Sequence, residues 1–494
     1  MTSSRVAMFD QFSETALLGT LIFIVWEVLA IGTIVNIVMK SRSAAGAWGW
    51  SMAVLALPFI AVPLYWILGR QQFKGYVERL REAKKIHERS FLDLTETLRP
   101  HFAILEGDER RYGGVLEKLS ERRFTLGNEV CLLIDGEQTF EAIFEEIEAA
   151  REYVLIQFFI VKDDELGNRL RELVVRKARE GVRIYFIYDE IGSHKLSRRY
   201  LRSLREAGVH AYDFHSTQGP SNRFQINFRN HRKIVVVDGR VGFVGGHNVG
   251  DEYLGKSKRF GEWRDTHVRL AGPSVLSLQM VFLADYYWTA REIPALEWNV
   301  VTPSDGSGCG GGKSTVLTLP TGPIENVEGG TIFFLNAITR ARQRIWIASP
   351  YFVTDESIRS ALQMVALRGV DVRIMIPEKP DKLLPWLATF SFLADMEAAG
   401  VRVFRYQPGF LHQKVLVVDE VLASVGTMNL DNRSMRLNFE VTAVVLCQDF
   451  ARQVAAMLEV DFAKCREVGG ADYASRSWWF RVGVRLARLT SPVL

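Results

Sequence analysis

The sequence predicts an α/β protein made of two similar domains that follow a two-helix membrane anchor. Apolar, strand-like runs alternate with segments of helical periodicity, the alternation occurs twice along the 494 residues, and two long apolar stretches stand near the N-terminus. Alternation of this kind is typical of sheets flanked by helices. A period as long as a domain indicates two related domains and not a solenoid.

Two apolar stretches, residues 16–39 and 44–68, predict the transmembrane hairpin. Each is long enough to cross a bilayer core of about 30 Å, and two in succession argue against a signal peptide. Glu27 lies inside the first stretch, either for function or because it faces the second helix. Two basic residues stand between the stretches and seven follow within residues 70–89, which predicts that both termini lie in the cytoplasm.

The four cysteines are far apart and form no C-x-x-C pair. This spacing predicts no disulfide framework and no zinc site, and it fits a reducing compartment. The formal net charge of +4 is too small to indicate a nucleic-acid partner.

The predicted organisation has five parts. They are the membrane anchor (1–70), a charged helical connector (71–125), a first α/β domain (126–300), a Gly/Ser-rich linker (301–320) and a second α/β domain (321–494). The second domain ends in a basic segment, 475–489, whose arginines fall near one helical face beside two tryptophans. Such a segment either lies on anionic lipid or packs on the domain.

One polar pattern occurs at matching places in both domains: H-x-K-x4-D-x6-G-[GT]-x-N. Its members are His231, Lys233, Asp238, Gly246 and Asn248 in the first domain, and His412, Lys414, Asp419, Thr427 and Asn429 in the second. In each motif the histidine and the lysine precede a run of apolar residues, and the two side chains lie on the same face of the strand. Polar ends on half-buried hairpins would explain one such motif, but the double occurrence favours a functional site.

These residue types suit phosphate chemistry. Lysine and asparagine side chains are hydrogen-bond donors for a phosphate, and two histidines can divide the work of nucleophile and general acid. An imidazole in this role needs a carboxylate on its other nitrogen, and Asp265 and Glu440 are the candidates downstream of the motifs. His247 and His267 have no repeat partner and are interpreted as structural. No metal-ligand motif is present in the sequence.

With these motifs the sequence resembles the phospholipase D superfamily, whose HKD motif this is, and within it the bacterial cardiolipin synthases. The resemblance extends over nearly the whole chain. It is carried by the segments YDEIGS (188–193), RNHRKIVVVDG (229–239), WRDTH (263–267), SPYFVTD (349–355), GFLHQK (409–414), GTMNLDNRS (426–434) and LARLTSPVL (486–494), together with the N-terminal apolar stretches.

The resemblance implies two phospholipase D-like domains arranged as a pseudo-dimer, with mixed sheets flanked by helices and one active site between the halves. It implies transfer of a phosphatidyl group between two phosphatidylglycerol molecules through a phosphatidyl-histidine, without metal or cofactor, at the inner membrane. It favours His231 as the nucleophile, although the sequence itself treats the two histidines alike. Asp238 and Asp419 are expected mainly to support structure.

Three other functions stay open at this point. The same site could use water as the acceptor, which would make the protein a membrane-bound phospholipase D. A phosphodiesterase acting on nucleic acid is disfavoured by the membrane anchor and the small net charge. A lipid-binding protein without catalysis is disfavoured because both motifs are intact.

Overall fold

The computed structural model describes residues 3–41, 44–69, 72–86, 88–215, 217, 227–303, 312–324 and 327–493. The chain divides into two compact units. The smaller comprises residues 1–71 and 217–227, and the larger comprises residues 72–216 and 228–494.

In its described residues the smaller unit contains the helices α1 (Ser3–Lys40), α2 (Ala44–Ala56) and α3 (Pro58–Leu68). Within the described residues, the portion Leu17–Lys40 of α1 is the one helix long and apolar enough to cross a membrane. Glu27 is exposed on this helix. The interpretation that its side chain is buried against the second helix is therefore not supported.

The second predicted span is not one continuous helix, so the predicted two-helix hairpin is not confirmed. The helix stops at Leu57 and restarts at Pro58, because proline has no N–H to continue the hydrogen-bond ladder. The resulting helices have 13 and 11 residues, fewer than the roughly 20 that cross a bilayer in a straight helix. Polar contacts tie α3 to α1: Tyr65 donates to Asn36 (3.0 Å) and Trp66 donates to Thr33 (3.1 Å).

The strands of the described residues all belong to the larger unit. Strands β1 to β20 are, in chain order, Thr125–Ile134, Tyr153–Phe158, Arg183–Asp189, His210–Phe214, Arg229–Asn230, Ile234–Val237, Val241–Gly245, Trp263–Arg264, Thr266–Ala271, Ser314–Thr321, Arg344–Ala348, Phe352–Val353, Asp371–Pro377, Arg402–Tyr406, Phe410–Leu411, Val415–Val418, Leu422–Gly426, Leu430–Asp431, Asn438–Leu446 and Cys465–Val468.

The same unit holds the remaining helices. Helices α4 to α18 are Lys74–Ile86, Glu88–Leu98, Gly107–Ser120, Asp135–Glu148, Glu165–Arg179, Arg198–Glu206, Ser274–Ala290, Gly329–Arg340, Glu356–Leu367, Leu383–Phe390, Leu393–Ala398, Asn432–Arg436, Gln448–Phe462, Gly470–Ala474 and Trp478–Leu489. Short 3-10 helices span Arg99–His101, Asp251–Leu254 and Ser491–Val493.

One continuous mixed sheet runs through the larger unit in the order β20-β14-β13-β11-β16-β17-β19-β10-β1-β9-β7-β6-β2-β3-β4. Strands β1 and β10 pair antiparallel at the centre of this sheet and join its two halves. Counted outward from this pair, the two halves place equivalent strands in the same order. Each half contains a parallel portion and an antiparallel hairpin, β6–β7 in the first and β16–β17 in the second. The repeat seen in the sequence is thus a structural repeat.

Helices cover both faces of this sheet, which explains the uninterrupted apolar runs that follow the motif lysines. In β6, Ile234 and Val236 pack into the core shared with α10 and α16, whereas Val235 and Val237 face the core beneath α7 and α8. Strand β16 alternates in the same way. A strand buried on both faces reads as a continuous apolar run and not as an alternating one.

Two features differ from the expectations. Strand β10 begins at Ser314, inside the range 301–320 predicted as linker, because residues 314–321 fill a central place in the sheet. Among the described cysteines, Cys447 and Cys465 are free, whereas Cys131 is disulfide-bonded, so the prediction from cysteine spacing is wrong for Cys131. The predicted orientation in the membrane therefore rests on the basic residues alone.

Candidate active site

Each motif histidine is held by the opposite half of the larger unit. Strand β5, just before the first motif, pairs with β19, and β15, just before the second, pairs with β8. The N–H of His231 donates to the carbonyl of Phe439 (2.9 Å), and the N–H of His412 donates to the carbonyl of Arg264 (2.8 Å). Both motifs therefore cross the seam, which is the boundary between the two halves of the larger unit. Both histidines lie in one shared site.

The two carboxylates named from the sequence bind the histidines crosswise. Nδ1 of His231 lies 2.8 Å from Oε2 of Glu440, which belongs to the second half. Nδ1 of His412 lies 2.7 Å from Oδ2 of Asp265, which belongs to the first half. Both carboxylates are fully buried. Each ring is thus oriented by a group from the other half, which sequence order alone does not reveal.

Burial keeps both imidazoles neutral. It lowers the pKa of His231 to about 4 even though Glu440 acts in the opposite direction. Burial lowers the pKa of His412 well below its ordinary value, and Lys414 adds to the effect. A neutral ring whose Nδ1–H is donated to a carboxylate carries its lone pair on Nε2. Within the described residues neither Nε2 has a hydrogen-bond partner, so both are available to a substrate.

The two motif lysines are buried beside the histidines. Lys233 donates to the carbonyl of His231 (2.8 Å), and Lys414 donates to the carbonyl of His412. Burial lowers the pKa of Lys233 to about 7 and that of Lys414 to about 8. A phosphate anion between them would favour the charged ammonium forms and raise both pKa values.

The two motif asparagines, expected to act alike, do not. Asn248 is committed to the fold: it accepts from the N–H of Ile160 (3.0 Å) and donates to Tyr253 (3.0 Å). Asn429 is also buried, but its Oδ1 has no partner among the described residues. The unpartnered atom of Asn429 is therefore a hydrogen-bond acceptor, free to meet a hydroxyl or another donor of a ligand.

Gly246 and Thr427 occupy equivalent positions and support the carboxylates. Thr427 donates its hydroxyl to Glu440 (2.6 Å). A Cβ at Gly246 would lie 1.9 Å from Oδ1 of Asp265, so only glycine leaves room for that carboxylate. The longer side chain of Glu440 accepts a hydrogen bond from the Thr427 hydroxyl, and the shorter side chain of Asp265 packs directly against the backbone of Gly246.

Asp238 and Asp419 lie at the far ends of the two hairpins, away from the histidines. Both adopt a positive φ of 51° in the hairpin turns. Asp238 accepts from the backbone N–H groups of residues 151–153, each at 2.9 Å, and Asp419 accepts from those of residues 342–344. They anchor the turn to the chain that enters β2 or β11, and neither reaches the site.

Comparisons with known proteins agree with this geometry. Residues 143–258 and 334–462 match the family model described as cardiolipin synthase, PLD-like domain, and residues 28–70 match a phospholipase D-nuclease N-terminal family. Cardiolipin synthase A of Pseudomonas fluorescens is 44% identical over 93% of this chain and 95% of its own length. The chain belongs to the cardiolipin synthase family of the phospholipase D superfamily.

Two further comparisons extend the result. Cardiolipin synthase A of Pseudomonas aeruginosa is 43% identical over 98% of this chain and 97% of its own length. The crystal structure of a phosphatidylserine synthase from Haemophilus influenzae matches 78% of this chain and all of that one, with a TM-score of 0.56 and 14% identity. The second likeness is one of fold alone.

A buried carboxylate behind the first motif was not identified from the sequence. Asp285, on α10 of this cardiolipin synthase family member, accepts from Arg232 (2.8 Å) and Asn230 (2.8 Å), the two neighbours of His231. It also accepts from Tyr76 (2.7 Å). Asp285 therefore fixes the strand that presents His231. It lies in a mostly apolar, buried helix. Burying a carboxylate there costs free energy, and this cost is the one sequence signal that could have indicated its role.

Asp461 on α16 does the same for the second motif. It accepts from Arg264 (2.9 Å), the neighbour of Asp265, and from Gln413 (2.7 Å), the neighbour of His412. Asp461 and Asp285 thus have matching roles behind the two halves of the site. Neither residue belongs to a motif, so no pattern in the sequence indicates these roles.

His247 and His267 lie against each other, with their Nδ1 atoms 3.1 Å apart. Burial lowers the pKa of His267 to about 3 and that of His247 well below its ordinary value. Both rings are therefore neutral, and the structural role inferred for them stays a prediction. Among the described residues no group of three or more His, Cys, Asp or Glu side chains is arranged to hold a metal ion.

Proposed function

We propose that this member of the family is a cardiolipin synthase that transfers a phosphatidyl group from one phosphatidylglycerol to another, with release of glycerol. The crossed arrangement of two neutral histidines, each oriented by a buried carboxylate and each with a buried lysine beside it, carries the proposal. The similarity to two cardiolipin synthases A along nearly the whole chain supports the choice of lipid.

In the first half of the reaction, Nε2 of one histidine attacks the phosphorus of the donor lipid. The bond from phosphorus to the glycerol oxygen breaks, and the second histidine protonates that oxygen. The bound phosphate favours the protonated form of this second ring, which is neutral in the empty site. The two lysines are the donors for the phosphate oxygens, together with the side-chain NH2 group of Asn429 that the motif predicts for this role.

In the second half, the hydroxyl of another phosphatidylglycerol headgroup takes the place of the released glycerol. The second histidine, now neutral, removes the proton of that hydroxyl, and the alkoxide attacks phosphorus. The bond from phosphorus to nitrogen breaks, so cardiolipin forms and both rings return to their starting state. No metal or cofactor takes part in this scheme.

The protein belongs at the inner membrane, with more than one pass and with the larger unit on the cytoplasmic side. The apolar length of α1, the apolar helices α2 and α3, and the basic residues that follow support this placement. Helix α18 adds a contact with lipid: Trp478 and Trp479 are 58% and 75% exposed, and Arg481 and Arg485 are exposed beside them.

The purified full-length protein, supplied with phosphatidylglycerol alone, should yield cardiolipin and free glycerol in equal amounts. His231→Ala and His412→Ala should each abolish both products, and activity should survive EDTA. Phosphatidic acid as the main product would instead indicate a phospholipase D. Cleavage of oligonucleotides with no turnover of phospholipid, or activity lost to EDTA and restored by a metal, would contradict the proposal.

A further inference from the structure

The pseudo-symmetry of the site breaks at the residue two positions before each motif histidine. In the second half this residue is Phe410, which is fully buried and packs against Trp263 with ring centroids 4.8 Å apart. In the first half it is Arg229, a half-buried cation. One side of the site is therefore aromatic at this position, and the other is positively charged.

Arg229 lies on the same face of its strand as His231. Side chains alternate along a strand, and the hydrogen bonds of Asn230 and Arg232 to Asp285 show that those two point to the opposite face. Two residues of strand span roughly 6.6 Å, which sets the separation of Arg229 and His231 along the chain.

The guanidinium of Arg229 retains donors for a ligand. Its NH1 donates to the carbonyl of Phe228 (2.7 Å), and no carboxylate of a described residue pairs with it. Arginine has five N–H donors and stays charged in proteins, so most of the fork is left unused by this bond.

A second arginine, Arg433, lies near enough to Arg229 for the two charges to interact. Helix α15 carries Arg433 and ends just before β19, whose first residue, Asn438, pairs with Arg229. Burial lowers the pKa of Arg433, and the nearby charge of Arg229 acts in the same direction. At the equivalent position of the first half stands Glu252, bound to Lys162 (2.8 Å). Both departures from the repeat thus add positive charge to the same side.

Cardiolipin carries two phosphates joined through one glycerol. Six bonds of about 1.5 Å link the two phosphorus atoms, so they lie no more than about 8 Å apart. The lysines serve the phosphate that reacts, and the second phosphate needs cations of its own at this distance. Arginine binds phosphate through two parallel N–H donors, which suits a partly desolvated site.

We propose that Arg229 and Arg433 bind the phosphate of the acceptor phosphatidylglycerol during the second half of the reaction. This role rests on the proposed function, since it requires a lipid acceptor. The subsite favours an anionic lipid hydroxyl over water or glycerol, neither of which carries a phosphate. It thereby selects synthesis over hydrolysis.

Two assays on the full-length protein separate this subsite from the reacting phosphate. Cardiolipin formation requires an acceptor with a phosphate, whereas exchange of labelled glycerol into phosphatidylglycerol uses the same covalent intermediate and an acceptor without one. In Arg229→Gln and Arg433→Gln we expect cardiolipin formation to fall by about tenfold or more, as loss of a charge-assisted phosphate contact implies. Glycerol exchange should change by less than about twofold, and Arg229→Lys should restore part of the loss.

Arg452→Gln is the matched control, because Arg452 is an exposed arginine bound to Glu420 beside the distant turn at Asp419. Its two activities should equal those of the unaltered protein. Equal loss of both activities in the Arg229 and Arg433 variants, with unchanged thermal unfolding, would overturn the assignment. So would unchanged cardiolipin formation. If the unaltered protein exchanges glycerol but makes no cardiolipin, the proposed function itself fails, which is a separate result.

Discussion

Glu440 orients His231 across the seam of the larger unit, with Oε2 at 2.8 Å from Nδ1, although the two residues come from different halves. Burial acts to raise the pKa of Glu440, but His231 and Lys233 outweigh it and hold the pKa below its ordinary value. The carboxylate is therefore ionised, and Thr427 donates to it as well. Asp265 and His412 repeat the relationship in the other direction.

Glu440→Gln tests this crossed relationship. The amide can still accept from Nδ1–H, but it no longer offers a negative charge to an imidazolium or to a phosphorylated ring. We expect kcat to fall by roughly 10² to 10⁴, the usual contribution of acid–base catalysis, while thermal unfolding changes little. Glu420→Gln, on the exposed far turn, should keep full activity. Equal kcat values for the two variants would show that His231 works without its partner.

The dependence of kcat/KM on pH should report the pKa values of the ionisable groups in the empty site. The attacking histidine must be unprotonated, so with His231 in this role activity should be lost as pH falls through about 4. The second histidine must carry a proton, so the decline of kcat/KM with rising pH includes this ring, whose pKa burial also lowers, as well as the lysines. The lysines must be protonated to bind phosphate, so activity should decline as pH rises through about 7 to 8. Bound phosphate raises the lysine pKa values, which moves the alkaline limb of kcat to higher pH than that of kcat/KM.

Initial rates from pH 4 to 10, at low and at saturating phosphatidylglycerol, provide both profiles. A value of kcat/KM that keeps rising from pH 7 to 9 would contradict the lysine assignment. Lys233→Arg is the informative variant, because a guanidinium stays charged throughout this range. If the variant is active, its alkaline decline should begin at higher pH.

The sequence predicts which groups form the candidate site but not which of them contact each other. His231, Lys233, His412 and Lys414 stand in a motif that occurs twice, which sets them apart from any local pattern. The pairing of Glu440 with His231 depends on how two short strands cross the seam, and no spacing along the chain encodes that. The break before Pro58 shows a different limit, since composition measures the length of an apolar stretch but not the continuity of its helix.

The turn aspartates should matter for stability more than for chemistry. Asp238→Asn replaces an anion that accepts three backbone N–H groups at 2.9 Å. We expect the free energy of unfolding of the larger unit to fall by about 2–4 kcal/mol, because hydrogen bonds to charged groups contribute about 1.5–3 kcal/mol each and the amide keeps some of them. Per folded molecule, kcat should stay within about threefold.

Thermal unfolding followed by circular dichroism, with activity normalised to the folded fraction, separates the two effects. Asp419→Asn should behave alike, since its carboxylate accepts from residues 342–344 in the equivalent turn. A large loss of kcat at unchanged stability would place these aspartates in the chemistry.

Asp461→Asn should be among the most destabilising single changes in the larger unit. It removes the carboxylate from Arg264, whose side chain is almost fully buried, and leaves a charge with one half-exposed partner, Asp135. Breaking a buried ion pair in this way costs about 3–5 kcal/mol. Arg402→Gln, which breaks an exposed pair with Glu467, should cost less than about 1 kcal/mol. Equal unfolding midpoints for the two variants would contradict the difference in burial.

Lipid contact by α18 can be detected through its exposed arginines. Trypsin should cleave after Arg481 and Arg485 more slowly when the full-length protein sits in nanodiscs of phosphatidylglycerol than in nanodiscs of phosphatidylcholine, since basic segments bind anionic surfaces. Replacing Trp478 and Trp479 with serine should remove most of this protection. If each indole buries roughly 50 Å² of apolar surface in lipid, the pair contributes about 2.5 kcal/mol.

Cleavage after Arg452 is the internal control, because this arginine is exposed on another helix of the same unit. Its rate should not depend on the lipid. Equal rates after Arg481 in both kinds of nanodisc would mean that α18 serves only to pack on α13, where Phe480 contacts Phe390 with ring centroids 5.1 Å apart. Protection confined to the anionic discs, and lost in the serine variant, would instead mean that α18 holds the larger unit at the surface from which its lipid substrate comes.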